Sequence, residues 1–178
     1  LVLIVVGVVA VYRSVRRTQP GKAAIDRFKL RVPIFGGIFQ RIYLVRFSRS
    51  LSTLIVSGVP LTNALEIVSD VVGNTTYKAV ISRTIKDIEG GGSIASAMLK
   101  DPQIPPMLPS MMTVGEQTGK LDLILEKLAN FYTKELDNLV ANLVTLIEPL
   151  ILVVMGLGVV ALILGILLPM YNLSSAIG

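Results

Sequence analysis

Residues 150–168, LILVVMGLGVVALILGILL, run for nineteen positions without a polar side chain and lie between Pro149 and Pro169. At 1.5 Å per helical residue the run reaches roughly 28 Å, about the thickness of one bilayer core. A transmembrane helix over residues 149–169 is the reading, with a short non-cytoplasmic tail, residues 170–178, after it. An interior proline costs a helix about 3 kcal/mol and kinks it, so Pro149 predicts a bend at the membrane boundary, with Glu148 reaching the interface. Inside the run Gly158, Ala161 and Gly165 fall on one face, and Ala161 and Gly165 have the small-xxx-small spacing that lets helices approach closely. That stripe predicts association with another span or another copy of the chain.

Upstream of the run the pattern is helical throughout. The face Leu121, Leu125, Leu128, Tyr132, Leu136, Leu139 and Leu143 steps by threes and fours, so a long helix is expected from Leu121 through Pro149 into the membrane. Farther back, Leu44, Phe47, Leu51, Leu54 and Ile55 mark a helix from about Arg41 to Ser57. Gly58 can take a left-handed cap and Pro60 can start the next helix. That next helix carries Leu61, Leu65, Val68 and Val72, is broken by Gly73-Asn74, and is followed by a third with Val80, Ile81, Ile85 and Ile88. Gly90-Gly91-Gly92 reads as a hinge, and Ser93 as the N-cap of a short helix ending at Leu99. Pro102, Pro105, Pro106 and Pro109 exclude regular helix throughout Asp101–Pro109, and another helix is expected from about Ser110 to Gln117, before Gly119. No alternating run is long enough to predict a sheet. Residues 41–148 are read as one helical cytoplasmic domain.

The other end opens with a second apolar run, Leu1–Tyr12. Twelve helical residues span roughly 18 Å, so residues 1–12 read as the last part of a truncated transmembrane helix. A secretory h-region is the rival reading, but it needs charges before the run and a small-residue cleavage site after it, and the sequence has neither. Residues 1–46 hold nine Lys/Arg against one acid, Asp26, whereas residues 47–178 hold eight bases and eleven acids. Residues 13–40 therefore read as a basic juxtamembrane or interfacial linker, with Val32–Phe39 at the membrane surface. Excess positive charge marks the cytoplasmic side, which puts residues 13–148 in the cytoplasm. Nucleic-acid binding is disfavoured because the basic stretch lacks interleaved aromatics on which bases could stack. The fold class is all-α: a membrane protein with a roughly six-helix cytoplasmic bundle between a truncated N-terminal span and a C-terminal transmembrane helix.

Composition narrows the function. The 178 residues have a mean hydropathy of +0.70 and are 16% charged, against about 25% in ordinary soluble domains. There is no Cys and no His, which removes disulfides, thiolate metal sites, Cys nucleophiles and imidazole acid–base chemistry. Gly115-Glu116-Gln117-Thr118-Gly119-Lys120-Leu121 superficially suggests a phosphate loop. It has three residues between its glycines instead of four, Leu in place of Ser or Thr after the Lys, and no strand before it. Gly90-Gly91-Gly92-Ser93 fails on the same missing strand. Glu66 and Asp70, four apart on one helix face, repel each other by about 0.2–0.5 kcal/mol unless a cation, Arg49 or a partner offsets them. They gather too few oxygens for a hard-cation site. Glu116, the only acid in its segment, reads as a helix-end interaction or a contact point. No catalytic, cofactor-binding or metal-ligating residue is identified.

Val114-Gly115-Glu116-Gln117-Thr118-Gly119-Lys120-Leu121-Asp122, followed by Leu125, Leu128, Ala129 and Tyr132, resembles the VGExTGxL segment of the type II secretion system F family. Arg46-Phe47-Ser48-Arg49-Ser50-Leu51, Ser57-Gly58-Val59-Pro60-Leu61 and Ile147-Glu148-Pro149 resemble that family in the same order and spacing. The resemblance implies a polytopic inner-membrane platform protein of type II secretion or type IV pilus assembly, with a helical domain that is usually present twice and three spans. This chain would correspond to the C-terminal half. The resemblance also implies a non-enzymatic role: a cytoplasmic hexameric ATPase engages the helical domain, and pilins or pseudopilins are extracted from the membrane, alongside other inner-membrane assembly proteins. On that footing Gly115, Gly119 and Leu121 are structural, as are Glu148 and Pro149. The resemblance assigns no contact to Glu66 or Glu116, which are read as partner-facing charges; Gly158, Ala161 and Gly165 are the expected face for helix association, and a homo-oligomer is expected. The alternative is a small transporter or channel subunit, which would favour an ionisable residue inside a span; residues 150–168 have none. A membrane-anchored enzyme ranks third.

Overall fold

The computed structural model describes residues 18–33 and 35–177, so the Leu1–Tyr12 run lies outside the described residues. Among the described residues the chain is helical, without strands. In order come α1 (Gln19–Arg31), α2 (Phe35–Val56), α3 (Leu61–Val71), α4 (Thr75–Glu89), α5 (Ile94–Leu99), α6 (Met107–Thr118) and α7 (Leu121–Ile177). The chain divides into two compact units, Leu1–Leu136 and Asp137–Gly178.

The first unit is a helical bundle whose core follows the expected periods. Leu44, Phe47 and Leu51 from α2, Leu65 and Val68 from α3, Val80 and Ile81 from α4, and Leu125, Leu128 and Tyr132 from α7 are all buried together. Ile94 and Met98 of α5 and Leu108 and Met112 of α6 complete it. Burying each such side chain stabilises the fold by about 1.5–3 kcal/mol, so this shared interior holds the helices together. Local chemistry sets the helix starts. Ser93 Oγ accepts from Ser96 N at 3.1 Å, as expected of an N-cap. Asn74, read from the sequence only as a breaker, caps α4 by accepting from Thr76 N at 2.9 Å and Tyr77 N at 3.2 Å.

Several boundaries differ from the sequence reading, and α2 already begins at Phe35 instead of about Arg41. α6 begins at Met107 instead of about Ser110, because Pro109 falls in its first turn, where no intrahelical partner exists for the N–H that proline lacks. The stretch 13–40, read as a basic linker, contains α1, which packs on α2 and α4 as a further helix of the bundle. Its single acid explains the docking. Asp26 is 4% exposed; its Oδ2 accepts from Thr75 N at 3.0 Å, and Lys29 Nζ lies 3.6 Å from Oδ1. A buried carboxylate needs such partners, and they tie α1 to the start of α4.

The second unit is the later part of α7. Its helical backbone runs unbroken through Pro149 and Pro169 to Ile177, so neither proline ends the helix. From Ile151 to Leu164 the large apolar side chains are exposed. The helix is long and apolar enough to cross a membrane, with a mean hydropathy of 2.6 over its most apolar window. A helix that is apolar on every side needs an apolar surround. A Cβ added at Gly158 or Gly165 would meet nothing within 4 Å, and Ala161 is exposed, so this face is open.

Candidate functional site

The segment from Gly115 to Leu121 forms the elbow between α6 and α7. Gly119 has φ +67°, a left-handed conformation that costs a side-chain-bearing residue. It closes α6 with two reverse bonds, from Lys120 N to Gly115 O at 3.0 Å and from Gly119 N to Glu116 O at 3.4 Å, the pairing of a Schellman cap. Gly58 ends α2 in the same way, with Val59 N bonded to Leu54 O and Gly58 N to Ile55 O. Gly115 serves a different purpose. A Cβ there would lie 3.0 Å from Leu121 Cδ1, 3.1 Å from Leu121 Cα and 3.3 Å from Ile124 Cβ, so α6 and the first turn of α7 touch backbone to backbone.

Glu116 faces inward along this elbow. Its Oε1 accepts from Ile94 N at 2.7 Å, which places a carboxylate at the positive end of α5. Of the two sequence alternatives, a helix-end interaction or a contact point, the geometry supplies the first. The same bond bears on the glycine run. Gly91, Gly92 and Ser93 line an open groove of about 440 Å³ with Thr113, Glu116 and Gln117. Three amides of this stretch are already occupied: Gly91 N bonds Ile88 O, Gly92 N bonds Asp87 O and Ile94 N bonds Glu116. An anion cradle needs those donors free. Gly90–Gly92 thus breaks the chain between α4 and α5, where the sequence placed a hinge, and its bonded amides disfavour an anion cradle.

A polar seam fastens the start of α7 to α2. Ser52 Oγ donates to Asp122 O at 3.1 Å, and Arg41 Nε donates to Glu135 Oε2 at 3.1 Å. Gln40 extends the seam, accepting from Arg41 at 2.8 Å and donating to Gln103 O at 3.0 Å; Tyr77 also donates its hydroxyl to Gln103 O, at 3.1 Å. None of these long-range pairs has a sequence signal. Tyr132 sits beside the seam, and its hydroxyl is buried without a partner. Burial pushes that phenol up to about 12; the Glu135 charge adds to the shift and Arg41 opposes it. Burial pushes the Tyr77 hydroxyl up as well.

The sign of the pH dependence follows. Unfolded tyrosine loses its proton near pH 10, before the folded protein does, so above that pH the unfolded state binds fewer protons. The stability is intact below about pH 10 and falls by roughly 1.4 kcal/mol per pH unit for each such group as the pH climbs toward the folded values. Tyr132→Phe is expected to remove one group's share of that alkaline loss. It also deletes the unpaired hydroxyl, which should raise stability at neutral pH by about 1 kcal/mol. Denaturant midpoints on both sides of pH 10 test both effects, and an unchanged alkaline slope would contradict the first.

Glu66 and Asp70 both lie exposed on α3. Lys78 forms an ion pair with Asp70, which relieves the repulsion without Arg49 or a cation. Among the described residues no group of three or more acids, His or Cys could hold a metal. Arg49 instead lines a groove of about 460 Å³ with Ser52, Thr53, Val56, Glu126 and Asn130. Glu148 and Pro149 are exposed on α7, in the second unit.

The pattern of the family described as "Type II secretion system (T2SS), protein F" matches residues 47–169, from the core of α2 through the elbow to the end of the apolar run. The chain belongs to the type II secretion system protein F family. It is 38% identical over 163 residues to the type IV pilus assembly protein PilC of Pseudomonas aeruginosa, covering 92% of this chain and 44% of that protein. The PilC protein of Thermus thermophilus is 36% identical over 174 residues, with coverage of 97% and 43%. Type II secretion system protein F of Pseudomonas aeruginosa is 31% identical over 173 residues, with coverage of 97% and 43%. The chain thus spans less than half the length of these curated relatives. The family resemblance of the elbow segment and the all-α fold expected from it agree with these findings.

Proposed function

We propose that this chain is the C-terminal half of a non-enzymatic inner-membrane platform subunit of a type IV pilus or type II secretion machine. In this reading the bundle is cytoplasmic and engages a hexameric assembly ATPase. The platform then converts ATPase strokes into extraction of pilins or pseudopilins from the bilayer. The observation that carries the proposal is the family match, which runs through a packed helical bundle and an apolar helix in one chain. The sequence, without His or Cys, offers no catalytic set that would favour an enzyme. Glu66, exposed on α3, and Glu116, part-exposed at the groove beside α5, are the partner-facing charges of this reading. The open Gly158, Ala161 and Gly165 face is where copies or neighbouring spans meet.

The test uses the absence of cysteine from these 178 residues. A single Gln117→Cys, exposed beside the elbow, would carry a photo-crosslinker in the full-length protein in native membranes. Adducts with an assembly ATPase support the platform reading. Adducts confined to lipid, the protein itself or a solute-binding protein would overturn the ATPase coupling and return the transporter reading.

A further inference from the structure

The outward side of α1 carries a pattern that neither the core nor the elbow uses. Ala24, Arg27, Phe28 and Arg31 are exposed on the side of α1 opposite buried Asp26, and exposed Phe35 follows at the start of α2. Phe28 is 69% exposed and Phe35 52%. Two exposed aromatic rings and two exposed arginines thus fall within nine residues of chain, 27–35. The single acid of α1, Asp26, is turned into the bundle and bonded to Thr75, so no carboxylate from this helix competes for the two arginines.

The position of the patch within the first unit supports one occupant. Arg41 of α2 bonds Glu135, the residue before the last of this unit, so the early turns of α2 and the unit's exit at Leu136 share one end of the bundle. Phe35 precedes Arg41 by six helical residues, which places it roughly 9 Å farther along the α2 axis. The aromatic–basic patch therefore lies at the same end of the first unit as its last residue, Leu136. Residues 1–46, to which the patch belongs, carry nine bases and one acid.

We propose that the Arg27, Phe28, Arg31 and Phe35 surface docks on an anionic lipid headgroup layer, with the rings inserted at the acyl boundary and the guanidinium groups on lipid phosphates. The chemistry is that of an interfacial amphipathic helix, in which apolar burial and electrostatic attraction act together. Phenylalanine supplies the first, and each arginine near a negatively charged leaflet strengthens binding about five-fold. The proposal rests on the reading of residues 149–169 as a membrane span and is independent of any pilus or secretion role. Its effect would be to hold the bundle in one orientation against the bilayer.

The test reconstitutes the chain in nanodiscs of either phosphatidylcholine alone or phosphatidylcholine with phosphatidylglycerol. An environment-sensitive fluorophore is placed on Ala24→Cys, with a control on exposed Asn63→Cys of α3. The expected result is a blue shift and quenching by headgroup-proximal spin-labelled lipid for position 24 in anionic discs, little in neutral discs, and none at position 63. Arg27→Gln with Arg31→Gln should lower docking about thirty-fold, and because both side chains are exposed the bundle should keep its helicity. Equal quenching in neutral and anionic discs, or quenching that survives the double substitution, would overturn the charge recognition. An unquenched probe on a chain that has inserted would overturn the docking itself, including if an acidic protein proves to protect the site. A chain that fails to insert at all would instead count against the membrane span.

Discussion

Gly115→Val should lower the unfolding free energy of the bundle by about 3 kcal/mol, the upper end of what overpacking costs a well-filled site. The reason is that the neighbour cannot yield. A new Cβ would lie 3.1 Å from Leu121 Cα, which is backbone, and branching would add atoms on the side where Ile124 Cβ is already 3.3 Å away. α6 would have to lift from the first turn of α7, and buried Leu125 and Met112 would lose packing with it. Gly115→Ala should show the same effect at about 1 kcal/mol. Denaturant unfolding followed by far-UV circular dichroism measures both. Valine tolerated without loss of stability would mean that the two helices can separate freely at the elbow.

Glu116→Lys is the second large effect. The substitution removes a charge-assisted bond to Ile94 N, of a kind worth about 1.5–3 kcal/mol. It also sets a cation at the positive end of a helix, adding about 0.3–1 kcal/mol. Glu116→Gln keeps an acceptor and should recover much of the loss. The pair separates two explanations for a defect in assembly. If the carboxylate acts through the cap, stability and assembly fall together in the lysine variant, and both return in the glutamine variant. If assembly fails in the glutamine variant while stability is retained, the charge itself is being read by a partner.

The contrast between these two residues shows what could be read in the sequence. Gly58, Ser93 and Gly119 act within a few residues of themselves, so rules about caps and left-handed glycine identify them without a fold. The apolar run at 150–168 is legible for the same reason, because composition over a short window decides it. Gly115 and Glu116 were visible as a motif, but their tasks depend on Leu121 and Ile94 arriving from other helices. Helix α1 was hidden more deeply. Its basic composition looked like a linker, and only the meeting of Asp26 with Thr75, far along the chain, shows it docked. The Arg41–Glu135 bond spans 94 residues, a separation at which local pattern carries no information.

The order of the core along the chain also bears on how the protein is made. Tyr132 is the last fully buried side chain of the first unit, and the apolar run begins only at Leu150. Ribosomes add roughly 5–20 residues per second, so the interval between these positions lasts on the order of a second or more. Helical bundles with mostly short-range contacts complete folding in microseconds to milliseconds. Every interior side chain identified in the first unit is thus synthesised before the apolar run begins. The apolar run therefore reaches the membrane only after the residues that fill the bundle's interior have been made.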